Sequence, residues 1–378
     1  MQVLVDGTYA ATALLMSGYA ESIVADFDRP RFPDAPGGHV ESWFWRANHP
    51  DRRRAVWLKA TVLRPTDGPP TADAWVTVFS PGAAFGLRRT VPLESARFSP
   101  APNAGASAAD PAAAGDTGSP AASSRTDRCL DHEVAGCRFR TDFLRGALSS
   151  ETHAVAWDLH WTPGPLGQPL CLFPSLRLLD GPVPRNKTIT PCPEARVTGH
   201  LEVDGQRWEV EDWPAMRGHN WGPAHAEHYA WGHALFLDGD GSVHTLVEGV
   251  SARIRVAGRL TPWLSALVIR RGDREVRFDR MVDLWRQRPE VGDLAWTLTM
   301  RGAAGRARLS MRARPDEVAC LGYRNPDGAL RYCLNSKLAE VTLDVDPRDG
   351  DGFSCHSPHG GALEFLRQAP DPRWPEVV

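Results

Sequence analysis

Short runs with β character, cut by Gly/Asp turn signals at close intervals, constrain this chain more than any other feature. Glu41–Arg46, Arg54–Leu63, Ala74–Phe79, Ala154–Trp161, Val197–Val203, Tyr229–Leu237 and Val243–Val250 are examples. Turn signals are Asp204-Gly205, Asp238-Gly239-Asp240-Gly241, Arg271-Gly272-Asp273 and Asn325-Pro326-Asp327-Gly328. Many short strands at such spacing indicate a sandwich or a barrel. Helical patterning is confined to Arg280–Gln287 and Gly361–Gln368, so the expected fold class is mainly β. The aromatic content agrees, with 14 Trp and 13 Phe against 5 Tyr. Bulky rings of this kind suit stiff β packing or a wide aromatic pocket.

The 378 residues suffice for two domains. Residues 99–124 stand apart, since 22 of these 26 are Ala, Gly, Pro or Ser. Such a stretch cannot bury enough surface to offset its ordering entropy, and is expected to be a disordered insertion within a domain. Residues 180–194 hold four prolines (182, 184, 191 and 193) and read as an extended connection. The expected division is therefore an N-terminal domain, 1–195, and a C-terminal domain, 196–378.

Several function classes are disfavoured. With 43 basic and 46 acidic residues, net charge −3, there is no footprint for nucleic acid. The apolar patch Ala10–Met16 lacks a basic flank, is interrupted by Thr12 and is too short to span a bilayer. A cytoplasmic protein without a transmembrane segment is expected, with peripheral membrane contact as one route to a substrate. Seven cysteines form no CxxC pair, so reduced thiols are expected. No Gly-x-Ser-x-Gly elbow, GxGxxG behind a strand or phosphate loop is present, and no cofactor is expected. Asp131-His132-Glu133 and the His356–His359 run read as solvated loops. Nothing in the sequence fixes the oligomeric state.

The chemistry is concentrated between 216 and 250. Five of the chain's 13 histidines (219, 225, 228, 233 and 244) fall within 26 residues. If Asp238–Gly241 closes a hairpin with Leu237 opposite Ser242, then Trp231 faces Glu248, His233 faces Leu246, and Leu235 faces His244. One strand face then carries Tyr229, Trp231, His233, Leu235, His244, Leu246 and Glu248, and the other is small and apolar. A barrel interior lined this way would perturb a carboxyl or imidazole and set a proton donor beside an aromatic wall. Gly218-His219-Asn220-Trp221-Gly222 reads as a loop whose glycines present His219 and Trp221 to that interior. A metal site is disfavoured, because His228 and His233 alternate to opposite faces and no HExxH accompanies them.

Three segments carry a resemblance: Glu41-Ser-Trp-Phe-Trp-Arg-Ala-Asn-His-Pro with Ala55-Val-Trp-Leu-Lys-Ala-Thr; Gly218-His-Asn-Trp-Gly-Pro-Ala-His-Ala-Glu with Trp231-Gly-His; and Leu321-Gly-Tyr-Arg-Asn-Pro-Asp-Gly through Leu334-Asn-Ser-Lys-Leu. Through them the chain resembles the lipocalin-like superfamily that includes bacterial carotenoid 1,2-hydratases. Tocopherol cyclases and lipocalin-like Diels–Alderases are more distant members. The resemblance implies two lipocalin-like antiparallel β domains in tandem and an apolar isoprenoid- or polyketide-like substrate. It implies catalytic roles for His219 and Trp221. A Tyr and an Asp two residues apart also act in the hydratases; here Leu246 and Glu248 stand at that spacing.

The resulting expectation is acid-initiated protonation of a double bond, followed by hydration or cyclisation. His219, Trp221 and Glu248 would be catalytic. Asn220, Tyr229, Trp231, His233, His244 and Leu246 would bind substrate. A non-catalytic lipid carrier and a shape-driven pericyclase are the alternatives.

Overall fold

The computed structural model describes residues 27–35, 37–98 and 130–378, so the stretch 99–124 lies outside the described residues. Ten antiparallel strands form a first sheet: β1 (His39–Asn48), β2 (Ala55–Arg64), β3 (Thr71–Ser80), β4 (Ala83–Pro92), β5 (Asp131–Val134), β6 (Cys137–Arg140), β7 (Phe143–Ser149), β8 (Ala154–Pro163), β9 (Lys187–Val203) and β10 (Gln206–Gly222). Their order is β4-β3-β2-β1-β10-β9-β8-β7-β6-β5. The sheet curls on itself, because Trp45 of β1 stacks on Phe139 of β6 with centroids 5.2 Å apart. Arg97 and Glu133 exchange backbone hydrogen bonds of 2.8 and 2.6 Å, which brings the two edges nearly to closure.

The remaining strands are β11 (His228–Leu237), β12 (Val243–Arg253), β13 (Arg255–Val256), β14 (Arg259–Leu260), β15 (Leu264–Arg271), β16 (Arg274–Phe278), β17 (Glu290–Val291), β18 (Ala295–Gly302), β19 (Gly305–Arg312), β20 (Ala319–Arg324), β21 (Leu330–Pro347) and β22 (Phe353–Arg367). All but the small β13–β14 ribbon join a second sheet, ordered β16-β15-β12-β11-β22-β21-β19-β18-β17, with β20 paired to β21. The fold is mainly β, as expected. The expected division at 195/196 falls inside β9, a strand of the first sheet, and the chain passes from one sheet to the other between Gly222 and His228. Gly361–Gln368 is not helical: through Arg367 it is the end of β22, held between β11 and β21. Only Met281–Leu284 forms a helical turn in the other expected helix.

Strand periodicity shows how the sheets meet. In β2 the even positions Val56, Leu58, Ala60 and Val62 fill the first barrel. The odd residues Ala55 and Trp57 instead join a core shared by both sheets, with Phe44, Trp75, Trp231, Leu246, Ala266 and Tyr323. Both faces of β1, β2 and β3 are consequently buried, whereas β8, uncovered outside, alternates buried and accessible residues.

The β11–β12 hairpin departs from the expected register. A bulge at Phe236/Leu237 leaves Leu237 opposite Val243, and from there inward His233 faces Glu248, Trp231 faces Val250 and Leu235 faces Leu246. A shift of two residues preserves the faces, so Tyr229, Trp231, His233, Leu235, Leu246 and Glu248 still share one side. His244 does not stay with them. It lies at the bulge, partly exposed, with Nδ1 2.7 Å from Thr245 Oγ1. The shared face does not line its own barrel either, and looks across to the first sheet. The small face turns inward, where Gly232 and Gly249 leave room for Met311 and Trp296.

Candidate active site

A cavity of about 650 Å³ opens between the two sheets. Its walls are mainly apolar: Phe44, Trp57 and Leu172 from the first sheet's side, and Trp231, Val250 and Ala266 from the second. The polar lining includes Lys59, Asn220, His225, Tyr229, Asn325 and Glu364. A mostly apolar pocket with a few convergent polar groups is the usual form of a small-molecule site.

Glu364 organises one side of this lining. Its Oε1 accepts from Lys337 Nζ at 2.5 Å and from Asn335 Nδ2 at 3.1 Å. Its Oε2 accepts from the Tyr229 hydroxyl at 3.2 Å. The Cys333 thiol also donates to Oε2, at 3.8 Å, so four donors converge on this carboxyl group. Burial, with the Cys333 thiol and the Glu364 carboxylate close by, holds the Tyr229 phenol well above its ordinary value, so it keeps its proton. Lys337 also lies 5.5 Å from the Trp57 ring and 5.7 Å from Trp231.

Lys59 enters from β2 between the faces of Tyr323, 3.9 Å from its amine, and of Trp57 and Trp75, each at 5.5 Å. Burial lowers this amine to about 8, against the opposing pull of Glu364. His225 stays neutral, lowered to about 3 by burial and then by Lys59. Its backbone N–H and Nδ1 both donate to Asn325 Oδ1, at 2.9 and 2.8 Å.

Three of the expected site residues, Asn220, Tyr229 and Trp231, line the cavity. Glu248 lies one layer deeper. Its Oε1 accepts from the Trp231 indole at 3.0 Å and from Thr190 Oγ1 at 2.8 Å, and it fixes that wall of the cavity. Burial pushes its carboxyl up to about 7, restrained by those two hydrogen bonds. His233 is buried beside it, accepting from Arg46 at 2.6 Å and donating to the Pro193 carbonyl at 2.9 Å. Burial and Arg46 keep its ring neutral. Leu246 is shared core.

The structure does not bring His219 and Trp221 to this cavity. Gly218–Gly222 is no loop but the end of β10, and a Cβ on Gly218 would stand 2.1 Å from the Phe44 ring, so this glycine serves close approach. His219 points to the opposite side of the strand, fully buried, with Nε2 2.8 Å from Glu41 Oε1 and Nδ1 2.6 Å from the Phe27 carbonyl. Trp43 stacks on it at 4.7 Å, and Trp221 packs at 4.7 Å. Glu41 also accepts the backbone N–H groups of Arg31 and Phe32 at 2.7 to 2.9 Å. This arrangement fastens residues 27–32 across the barrel. His132, expected in a solvated loop, is likewise buried on β5 against Trp43. His356 is exposed on β22, beside Glu340.

Sequence reasoning missed Lys59, Trp57, Tyr323 and Glu364. One signal was available: Lys59 is a lone charge within Ala55–Leu63, a strand otherwise apolar on both faces apart from Thr61. Among the described residues no three His, Cys, Asp or Glu side chains gather to hold a metal, and no helix is long and apolar enough to cross a membrane.

Taken by architecture, the molecule is a pair of large, barrel-like antiparallel sheets with a ligand-sized cavity between them. No family model matches the chain. It is 28% identical over 319 residues to two uncharacterized proteins of Mycobacterium tuberculosis, MT0513 of strain CDC 1551 and Rv0493c of strain H37Rv, covering 84% of this chain and 84% of each. Two solved structures are similar. One is a protein assigned as AttH from Nitrosomonas europaea, with TM-score 0.47, 12% identity, and 87% of this chain and 92% of that chain covered. The other is kievitone hydratase from Nectria haematococca, with TM-score 0.49, 12% identity, and coverage of 90% and 91%.

Proposed function

We propose that the chain is an enzyme of the hydratase or cyclase type that draws an apolar, isoprenoid- or polyketide-like molecule into the inter-sheet cavity and acts on it by proton transfer. The observation that carries this reading is the Tyr229–Glu364 pair on an otherwise aromatic wall. Tyr229 holds a proton it can give to the conjugated oxygen of a bound ligand as charge develops there. Glu364 can take one from a water or from an adjacent carbon. The faces of Trp57 and Trp231 would stabilise positive charge arising between these steps. Glu248 acts through Trp231 as a positioning residue.

The cavity mouth suits collection of such a molecule from a lipid surface. Val183, Val256, Met281 and Trp285 line it and are 37%, 43%, 56% and 54% exposed. Exposed arginines 185, 255, 280 and 286 lie in the same segments, a pairing of apolar and basic groups that favours an anionic bilayer.

The test is to capture ligands from a cell extract on the protein, identify them by mass spectrometry, and incubate them with enzyme in D2O. Hydration adds the mass of one D2O, and proton-initiated cyclisation introduces carbon-bound deuterium. Both should be lost in Glu364→Gln. A ligand returned unchanged would show a carrier, and a rearranged product free of deuterium would show a pericyclase; either result overturns the proposal.

A further inference from the structure

Lys59 is buried at the cavity without an acid of its own, whereas Lys337 has Glu364 and Arg331 has Glu227. Glu364 and Asp73 are the carboxylates that act on Lys59, but neither bonds its amine: Glu364 is held by Lys337, Asn335 and Tyr229, and Asp73 by the Thr90 hydroxyl. Lys59 is only 3% exposed and makes no ion pair or hydrogen bond with any described residue. The Trp57 indole N–H on the same strand face is also buried without an acceptor. An ammonium enclosed by three rings is partly compensated by their faces. Ring faces offer no oxygen lone pair, so the three hydrogen-bond donors of the buried amine stay without an acceptor. What is missing beside Lys59 is an oxygen anion.

We propose that Lys59 is a head-group site, and that the ligand of this cavity is an amphipathic acid: a carboxylate or enolate-type oxygen placed at the Lys59 amine, with an apolar body lying along Phe44, Trp57 and Trp231. The inference rests on the reading of the cavity as the ligand site and narrows the substrate class within it. Three segments far apart in sequence build the subsite: Lys59 and Trp57 in 55–61, Tyr323 in 321–328, and Lys337, which neutralises Glu364 and so leaves Lys59 free, in 334–338. Placing the anion there orients the apolar body toward the Tyr229–Glu364 pair, so the same contact that selects the ligand also aligns it.

The experiment compares 2-naphthoate with 2-naphthalenemethanol, matched in ring and differing in charge, by quenching of intrinsic Trp fluorescence in the full chain. The wild type is expected to bind the naphthoate at least tenfold more tightly. Lys59→Met keeps the length and apolar stem while removing the charge, and should abolish the preference while leaving naphthalenemethanol affinity within about twofold. Equal affinities in the wild type, or a preference that survives in Lys59→Met, overturns the head-group site while leaving the cavity reading intact. Binding of neither probe overturns the cavity reading and this inference together. Should Lys59→Met fail to fold, the wild-type comparison decides alone.

Discussion

Glu248→Gln should change the sign of its effect on stability as pH rises. Glu248 is 2% exposed, with Oε1 held by Thr190 and Trp231 and Oε2 without a hydrogen-bond partner. Its carboxyl stands at about 7 in the folded chain against an ordinary 4.5. Between those values the folded state binds a proton that the unfolded state has released. Stability is therefore undiminished below about 4.5, falls as pH rises through the window, and is lower by the full amount above about 7. At 1.36 kcal/mol per pH unit the difference is about 3 kcal/mol. Glutamine resembles the protonated acid and keeps both hydrogen bonds to Oε1. Its second N–H finds no acceptor, which costs about 1 kcal/mol at every pH. The variant should accordingly be about 2 kcal/mol more stable than the wild type at about pH 8.5, and about 1 kcal/mol less stable at about pH 3.5. Urea titrations followed by Trp fluorescence at the two pH values measure both. A difference that does not vary with pH, or a variant less stable at the alkaline value, would refute the assignment of Glu248 as a buried carboxyl destabilised by ionisation.

Glu41→Gln should show the opposite trend. Burial pushes the Glu41 carboxyl up, but the His219 hydrogen bond and the His39 ring 3.4 Å away outweigh this and hold it at about 2. The stability it contributes is present above about pH 4.5 and lost as pH falls toward 2, so the variant should be about 3 kcal/mol weaker at neutral pH, with the gap closing in acid. The same urea titration reads it, and a gap that persists at about pH 2.5 would sink the reasoning. At the cavity mouth, Met281→Ser with Trp285→Ser should weaken sedimentation with vesicles containing phosphatidylglycerol by about tenfold, since each side chain buries apolar surface in the bilayer. The melting temperature should hardly move, because both residues are exposed. Unchanged vesicle binding would remove the membrane route to the substrate.

Much of the architecture was legible because strand signals are local. The two-residue turn at Gly272-Asp273 and the Asp204-Gly205 turn need only φ values that those residues tolerate, and both close hairpins. Alternation likewise assigned Tyr229, Trp231 and Glu248 to one face, and parity kept them there despite the bulge that displaced His244. Tyr229 and Trp231, from that face, and Asn220, expected in a loop, line the cavity, whereas Lys59, Trp57 and Glu364 were not singled out as site residues.

The difference lies in what covers each strand. Alternation along Val56, Trp57, Leu58 and Lys59 separates two faces, but which face meets a second sheet depends on residues more than 150 positions away. A strand buried on both sides loses the polar contrast that would mark its functional face. The reversal of the β11–β12 face, from the interior of its own barrel to the space between sheets, has the same origin: glycines 232 and 249 admit Met311 and Trp296, and those contacts exist only after the second sheet closes. His219 shows the converse, a motif histidine whose partner Glu41 lies on a neighbouring strand and whose role follows from that pairing. By itself, then, the sequence determined the β class, the turns and the partition of side chains between faces, because these follow from backbone sterics over a few residues. Only the tertiary structure decided which faces meet, where the cavity lies and which charges are left without partners, because those are properties of two sheets in contact.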